Sequence, residues 1–283
     1  MSLHMQSETL ETQWGGVRTA ACWVIPPAPI GVVVLAHGFG EHSGRYGNSV
    51  WPLLYEQGWA VLTFDWVGHG QSAGRRGSCR GYDQLLGQLS GAWNAAEDRF
   101  PGLLRVLYGH SMGGNLVLNF VLRGLGSPDG VVASSPYLRL AFRPPAWKWK
   151  LGRLLYHLAP RLTLASGLDP NGISTDPAQV RAYREDPLVH DRVSPSYSFP
   201  ILDAGAWALK HAAQWQTPAL VLHGTADPII DPNGSREWCK KAPQTRLFLA
   251  RGAYHELHHD HAWPEVSREV AQFLEAVRST ARR

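Results

Sequence analysis

The amino-acid sequence predicts an α/β fold, in which helices cover both faces of a mostly parallel central sheet. Short apolar runs of strand length alternate along the chain with longer stretches of helical character. Continuous apolar runs are typical of parallel strands, because helices shield both faces of such a sheet from water. One long proline-rich interval interrupts the alternation and predicts an inserted helical cap. A chain of 283 residues is long enough for one core and such an insertion.

Six apolar runs are the predicted parallel strands, at residues 31–36, 59–65, 103–108, 130–133, 219–222 and 246–250. The predicted helices cover residues 49–57, 82–99, 112–123, 234–241 and 263–277. Residues 9–25 are expected to add an antiparallel hairpin at one edge of the sheet. The proline-rich interval, 137–215, contains no convincing strand, and a structureless loop of that length is improbable. We therefore predict a core formed by residues 1–136 and 216–283, with a helical cap at 137–215.

The composition excludes several classes of protein. The net charge is +4, but the basic residues are dispersed and indicate no nucleic-acid groove. The three cysteines, Cys22, Cys79 and Cys239, are far apart and odd in number, which favours a reducing compartment. The polar N-terminus lacks the pattern of a secretory leader, and no segment has the ~18 consecutive apolar residues of a membrane span. We therefore expect a cytoplasmic protein whose contact with a membrane, if it has any, is peripheral.

The most specific motif is Gly109-His110-Ser111-Met112-Gly113-Gly114, which matches G-x-S-x-G between a predicted strand and a predicted helix. The sharp turn strains the serine, and the two outer glycines avoid the collisions that side chains would cause there. Ser111 is then exposed as a nucleophile, and the N–H of Met112 can bind an oxyanion at the helix N-terminus. A chance match is the alternative, but the flanking strand and helix favour the nucleophile elbow of an α/β-hydrolase fold.

A second oxyanion donor is expected in the loop after residues 31–36. His37-Gly38-Phe39-Gly40 follows that strand directly, as HG-containing oxyanion loops do in this fold. The N–H of Phe39 is our candidate. A tight glycine turn without a catalytic role is the alternative.

The acid and the base of the triad should follow the serine in that order. Asp227 lies just beyond a predicted strand, on the edge of the sheet where ligands gather, and Asp231 is its competitor. The last strand leads through a glycine-bearing loop to His255. The chain has 13 histidines, so a structural role is the alternative, but the position after the last strand favours His255 as the base. Activity should then rise with pH through an apparent pKa of about 6.5–7.

The segment His255-Glu256-Leu257-His258-His259 also matches H-E-x-x-H, a pattern of zinc proteases. That pattern requires a helix, on which the two outer histidines share a face. Here it follows a strand and a Gly-Ala loop, so a zinc hydrolase is only a remote alternative. We expect neither a metal nor another cofactor.

These residues resemble the monoacylglycerol lipase and lysophospholipase branch of the α/β-hydrolases, a serine aminopeptidase S33-like group. The resemblance covers most of the chain and is clearest in residues 37–46, 65–72, 109–114, 182–188 and 253–258. It implies a cap over an apolar acyl channel and a polar pocket for a glycerol head group. It also implies which residues hold that head group, namely Glu41, Arg45, Tyr183 and His258. Phe39 departs from the resemblance, because a smaller residue is expected there.

The resemblance implies an esterase, in the first place a monoacylglycerol lipase that releases a fatty acid and glycerol through an acyl-enzyme. A lysophospholipase or a general carboxylesterase of the same fold is the alternative. Dehalogenases and epoxide hydrolases use an aspartate where this chain has Ser111, and a non-catalytic binding module would usually lack a triad member. Other roles remain open for the head-group residues. Glu41 and Arg45 could form only an ion pair that steadies the loop. Tyr183 could be a packing residue of the cap, and His258 could be a helix-start residue.

One stretch of the predicted cap has the composition of a membrane-interface segment. Trp147-Lys148-Trp149-Lys150 precedes leucines 151, 154, 155 and 158 at helical spacing. Tryptophan and lysine beside an apolar stripe favour transient contact with a lipid surface. Packing of the leucines onto the core is the alternative.

Overall fold

The computed structural model describes residue 5 and residues 7–281, so part of the polar start of the chain and the two terminal arginines lie outside it. Its strands are β1 (Ser7–Trp14), β2 (Val17–Val24), β3 (Gly31–Ala36), β4 (Trp59–Phe64), β5 (Leu104–His110), β6 (Gly130–Ser134), β7 (Leu164–Ala165), β8 (Arg192–Val193), β9 (Ala219–Gly224) and β10 (Thr245–Ala250). Its α-helices are α1 (Val50–Glu56), α2 (Tyr82–Arg99), α3 (Met112–Leu122), α4 (Ala146–Leu158), α5 (Pro177–Glu185), α6 (Pro195–His211), α7 (Pro232–Lys241) and α8 (Trp263–Ala281).

Eight of the strands form one sheet in the order β1-β2-β4-β3-β5-β6-β9-β10. Strands β3 to β6, β9 and β10 pair in parallel, whereas β1 and β2 form an antiparallel hairpin at one edge. The predicted fold class and the edge hairpin are therefore confirmed. The predicted core helices and strands agree with the observed bounds within a few residues, because their apolar patterns are local.

Alternate side chains of the central strands enter two separate apolar layers. In β3, Val32 and Val34 pack in the layer that contains α2, α3, α6 and α7. Val33 and Leu35 point to the other face and pack in the layer with α1 and α8. All six residues of β3 are buried, as expected of a strand that is covered on both faces.

The interval between β6 and β9 contributes no strand to the main sheet. It holds α4, α5, α6 and a separate two-stranded ribbon of β7 and β8, which the sequence did not predict. Each of these strands is only two residues long, too short for an alternating pattern to be seen. The division at residues 137 and 215 stays a prediction. In the part of the chain that the structure describes, no helix has the length and apolar character needed to cross a bilayer.

Candidate active site

Ser111 occupies a strained turn between β5 and α3. Its φ is 52°, in the left-handed region that residues other than glycine rarely adopt. A side chain at Gly113 would overlap the Ala36 carbonyl group, and one at Gly109 would overlap the Gly113 carbonyl group. Both glycines are therefore required where the sequence placed them. The turn ends at the carboxyl edge of the parallel sheet, where β9 and β10 also end.

The structure brings Ser111, His255 and Asp227 into one hydrogen-bonded chain. His255 Nε2 lies 2.9 Å from Ser111 Oγ, and His255 Nδ1 lies 2.7 Å from Asp227 Oδ2. A carboxylate only accepts hydrogen bonds, so Nδ1 carries the hydrogen and Nε2 is left to accept the serine proton. The order Ser, Asp, His along the chain is the one expected for this fold.

The competing aspartates have other partners. Asp231 caps α7 by accepting from the N–H of Asn233, and it lies 3.6 Å from Arg139. Asp65 accepts hydrogen bonds from Ser43 and Gln71 behind the oxyanion loop. Neither is hydrogen-bonded to His255, whereas Asp227 is.

The electrostatics of the chain suit proton transfer. Burial alone would lower the pKa of His255, but the Asp227 carboxylate raises it above its ordinary value. Burial opposes ionisation of Asp227, yet its imidazole partners hold its pKa well below the usual range. Asp227 is therefore ionised when His255 takes a proton, and the resulting imidazolium is stabilised by a full negative charge.

Segments between β6 and β9 are hydrogen-bonded to the His255 loop and to the loop after β3. The N–H of Glu256 donates to Ile173 O at 2.7 Å, and Ser174 Oγ donates to His259 O at the same distance. At the other end of α5, the N–H of His190 donates to Gly40 O at 2.8 Å. Helix α5 therefore spans the site, with one end tied to the His255 loop and the other to the loop after β3.

The loop after β3 lies against the nucleophile. A Cβ atom at Gly38 would stand 3.3 Å from Ser111 Cβ, which places the following peptide beside the reacting group. The bulky Phe39 ring packs edge-on against His69 and Tyr197, with centroids 5.0 Å away in each case. The ring of Phe39 is therefore accommodated by this aromatic cluster, although the family resemblance led us to expect a smaller residue at this position. The roles of the Phe39 and Met112 N–H groups in binding an oxyanion stay predictions.

Three of the four predicted head-group residues share one buried cluster. Glu41 Oε1 accepts hydrogen bonds from Gly38 N at 2.6 Å and from Tyr46 Oη at 2.8 Å. Its second oxygen lies 3.2 Å from Arg45 Nε. The Arg45 guanidinium also pairs with Glu256, and it lies 4.7 Å from the centre of the Tyr183 ring. Both oxygens of Glu41 are thus engaged by the protein itself.

His258, the fourth head-group residue, has a different character. Its ring stacks on Tyr46 with centroids 4.4 Å apart and contacts the edge of His110. It is 2% exposed, and within the described residues neither of its ring nitrogens has a hydrogen-bond partner. Burial and the neighbouring cationic groups keep the pKa of His258 well below its usual value, so the ring is neutral.

The H-E-x-x-H segment does not form the helix that the zinc pattern requires. His255 lies in a loop bonded to Ser111 and Asp227, and only Leu257–His259 form a short 3-10 turn. Glu256, His258 and His259 are close enough together to hold a cation. However, Arg45 donates to Glu256 and its guanidinium lies 3.0 Å from His259 Nδ1, so a positive charge already occupies that cluster. The donor set therefore does not fit a metal.

Sequence reasoning missed two residues that matter to this site. Glu256 contacts both Arg45 and His259, and His223 Nε2 lies 3.1 Å from Asp227 Oδ2. Only His223 could have been found from a local signal, because it lies near the end of β9, four residues before Asp227. Arg45 and Glu256 are separated by more than 200 residues, so no spacing rule could pair them.

The sequence profile of the serine aminopeptidase S33 family matches residues 27–262. This chain belongs to that family. A monoacylglycerol lipase of Mycolicibacterium smegmatis is 33% identical over 247 residues, which are 86% of this chain and 88% of that protein. The crystal structure of a Paleococcus ferrophilus monoacylglycerol lipase has a TM-score of 0.81 at 36% identity, covering 92% of this chain and 99% of the other.

An uncharacterised abhydrolase domain-containing protein of Dictyostelium discoideum is 34% identical over 256 residues. The match takes in 89% of this chain but only 27% of that longer protein. The resemblance to S33-like α/β-hydrolases that the motifs indicated is confirmed by these matches.

Proposed function

We propose that this S33 family member is a serine hydrolase that cleaves monoacylglycerols into a fatty acid and glycerol. The hydrogen-bonded chain of Ser111, His255 and Asp227 carries the proposal, because it activates a serine hydroxyl for attack on an ester. The relatives named as monoacylglycerol lipases supply the substrate class. A lysophospholipase or a general carboxylesterase is the alternative within the same chemistry.

The reaction proceeds in two half-reactions. His255 Nε2 takes the Ser111 proton as Oγ attacks the ester carbonyl carbon, and the imidazolium then protonates the departing glycerol oxygen. The acyl group is left as an ester on Ser111. Water, deprotonated by the same nitrogen, attacks this ester, and the fatty acid leaves as Oγ recovers its proton. The N–H groups of Phe39 and Met112 bind the oxyanion, and one such donor typically contributes ~2.7–4 kcal/mol to the barrier reduction.

We assign two different roles to the four predicted head-group residues. His258 has two unpartnered nitrogens in a buried position, which is unfavourable unless a ligand or water satisfies them. Its neutral ring has one donor and one acceptor, which suits glycerol hydroxyls. Tyr183, on α5, covers the Arg45 guanidinium. Glu41 and Arg45 shape the pocket through their mutual ion pair rather than by offering free groups.

A comparison of three substrates that share one acyl chain tests the substrate class. Turnover of a monoacylglycerol, a lysophosphatidylcholine and a simple alkyl ester should be fastest for the monoacylglycerol. The variant His258→Phe should raise KM for the monoacylglycerol while leaving the alkyl ester nearly unaffected. Equal turnover of the three substrates by the wild-type protein would reject the lipase assignment and favour the carboxylesterase.

The chemistry itself is tested separately from the substrate. Ser111→Ala should lower p-nitrophenyl butyrate turnover by about 10⁴-fold or more. It should also abolish covalent labelling by a fluorophosphonate in the presence of EDTA. Undiminished turnover by the folded variant would reject the serine mechanism.

We further propose that α4 docks on an anionic lipid surface. All the large apolar side chains that are exposed among the described residues, except Leu125, lie between Phe142 and Leu164. No residue of α4 is buried, and Leu151, Leu154 and Leu158 remain exposed, so packing onto the core does not account for these three leucines. Residues 137–168 contain six lysines and arginines but no aspartate or glutamate. An apolar stripe flanked by positive charge matches the interface of an anionic membrane.

Vesicle co-sedimentation tests this docking. The double variant with Trp147→Ala and Trp149→Ala should bind phosphatidylglycerol-containing vesicles about tenfold more weakly, because it lacks two interfacial aromatic anchors. Leu125→Ala removes an exposed apolar side chain outside the segment and should leave binding unchanged. Equal binding by the wild type and the tryptophan variant would contradict the proposal.

Together with three cysteines that form no disulfide in the described residues, docking of this kind supports a cytoplasmic enzyme at a membrane surface.

A further inference from the structure

A second imidazole contacts the triad aspartate. His223 lies near the end of β9, and its Nε2 is 3.1 Å from Asp227 Oδ2, the same oxygen that receives His255 Nδ1. The other nitrogen of His223, Nδ1, is 2.7 Å from Ser235 Oγ on α7. Both His223 and Ser235 are completely buried. The hydrogen-bonded chain that begins at Ser111 therefore continues two residues beyond Asp227.

The partners of His223 determine which of its nitrogens carries hydrogen. Nε2 faces Asp227 Oδ2 and, at 3.2 Å, the carbonyl oxygen of Ile230. Both of these atoms are acceptors only, so Nε2 must donate. In the neutral ring Nδ1 then accepts from the Ser235 hydroxyl. Asp227 and Ile230 thereby fix the tautomer of His223, and the Ser235 hydroxyl, by donating to Nδ1, fixes the orientation of the ring.

We propose that His223 and Ser235 are positioning residues of the ester-cleaving site, with His223 anchoring Asp227 and Ser235 holding the His223 ring in the orientation that donates to Asp227. The inference rests on the proposed function of Ser111, His255 and Asp227. Neither residue touches the substrate, so both act through the aspartate.

The carboxylate of Asp227 is oriented by four donors. Its Oδ1 accepts from the N–H groups of Ile229 and Ile230 at 2.8 and 3.0 Å, and its Oδ2 accepts from the two imidazoles. Without His223, the carboxylate loses one of the two donors that aim Oδ2 at His255. Misplacing the base in this way slows the proton transfer without changing the binding of the substrate.

Loss of His223 should also change the titration of His255. Each donor spreads the negative charge of Asp227, so removing one donor leaves a more basic carboxylate that holds the imidazolium more tightly. The pKa of His255 should therefore rise. The other titratable groups near His255 include Glu41, Glu256 and the rings of His110 and His258. None of them is altered by the substitution, so a shift can be ascribed to the Asp227 contact.

Two substitutions of similar polarity separate the two ends of the His223 ring. The amide nitrogen of His223→Gln reaches the position of Nε2 and can still donate to Asp227, whereas that of His223→Asn reaches only the position of Nδ1. With p-nitrophenyl butyrate, we expect the Gln variant to lose no more than about threefold in kcat. The Asn variant should lose about 10–100-fold in kcat at unchanged KM, since positioning is lost. The acidic limb of its pH profile should move up by about 0.5 pH unit.

A double-mutant cycle tests Ser235. Ser235→Ala should lower kcat about 3–10-fold in the wild-type background and have no effect in the His223→Gln background, where there is no ring nitrogen to accept the serine hydrogen bond. Ser279→Ala, an exposed serine on α8, is the matched control and should be neutral. Because the Gln variant keeps the donor to Asp227, the cycle still decides the question if the Asn variant does not fold.

The proposal is overturned if the folded Gln and Asn variants have equal kcat and equal pH limbs. It is also overturned if Ser235→Ala has the same effect in both backgrounds, because both residues would then act only on stability. Ser111→Ala is assayed alongside them. If that variant keeps full turnover, the proposed function fails; if it is inactive while the His223 variants are alike, only the positioning role fails.

Discussion

Replacing Glu41 by alanine distinguishes a residue that binds glycerol from one that supports the oxyanion loop. The side chain is 2% exposed and accepts the N–H of Gly38, the hydroxyl of Tyr46 and the guanidinium of Arg45. Gly38 immediately precedes the proposed donor Phe39. A residue with this many protein partners is expected to hold the loop in place, so its loss should affect every ester alike.

The size of the effect follows from the groups left without a partner. Arg45 keeps Glu256, but the Gly38 N–H and the Tyr46 hydroxyl become buried donors without acceptors. At ~1–3 kcal/mol for each orphaned donor, the variant should be about 2–6 kcal/mol less stable. This loss corresponds to a fall in Tm of roughly 5–15 °C for a chain of this size. Displacement of the neighbouring oxyanion donor should lower kcat by about 100-fold.

Thermal unfolding and p-nitrophenyl butyrate turnover measure both quantities. Glu237→Ala, which breaks surface ion pairs with Lys241 and Arg139, is the matched control and should change stability by less than about 1 kcal/mol. The reasoning is refuted if Glu41→Ala melts at the wild-type temperature, hydrolyses p-nitrophenyl butyrate normally and raises KM only for monoacylglycerols. That result would make Glu41 a ligand of the glycerol head group.

Three further predictions follow from the site and the core. The acidic limb of the kcat/KM profile should lie above pH 6.5, because Asp227 raises the pKa of His255 and only the neutral imidazole is a base. A rate that does not change from pH 5 to pH 8, with chemistry rate-limiting, would contradict this. Gly113→Ala should lose at least about 100-fold in kcat because its Cβ overlaps the Ala36 carbonyl group, whereas Gly47→Ala, whose Cβ has room, should be nearly wild type in the same assay. The free energy of unfolding should fall as the pH drops below about 6.5. Each histidine that is buried and neutral in the folded protein but protonated in the unfolded chain contributes up to ~1.4 kcal/mol per pH unit. Urea unfolding at pH 7 and at pH 5 measures this loss. The histidines concerned, whose pKa is lowered by burial, are His37, His69, His110 and His258.

Several parts of the fold and site could be predicted from local sequence patterns. Strand β3 and helix α2 were placed to the residue, because the apolar run and the helical periodicity each lie within one short segment. Ser111 was recognisable because its turn requires glycines at fixed positions on both sides. Asp227 and His255 were found from their positions after strands, since the ends of parallel strands meet at one edge of the sheet.

The ribbon of β7 and β8 and the exposure of α4 could not be predicted. Two residues are too few to show alternation, and the leucines of α4 have the same spacing whether they face the core or the solvent. Whether an apolar stripe is covered depends on what the rest of the chain places against it. That information is absent from the stripe itself.

By itself, the sequence determined the order of strands and helices, the nucleophile and the candidates for its two partners, because each of these depends on neighbours a few residues away. Only the tertiary structure decided that Arg45 also pairs with Glu256, and that His223 lies between Asp227 and Ser235. The contacts of Arg45 with Glu256 and of His223 with Ser235 join separate elements of the chain. Hydrogen bonds of a few ångströms depend on how whole elements pack, and no spacing along the sequence encodes that packing.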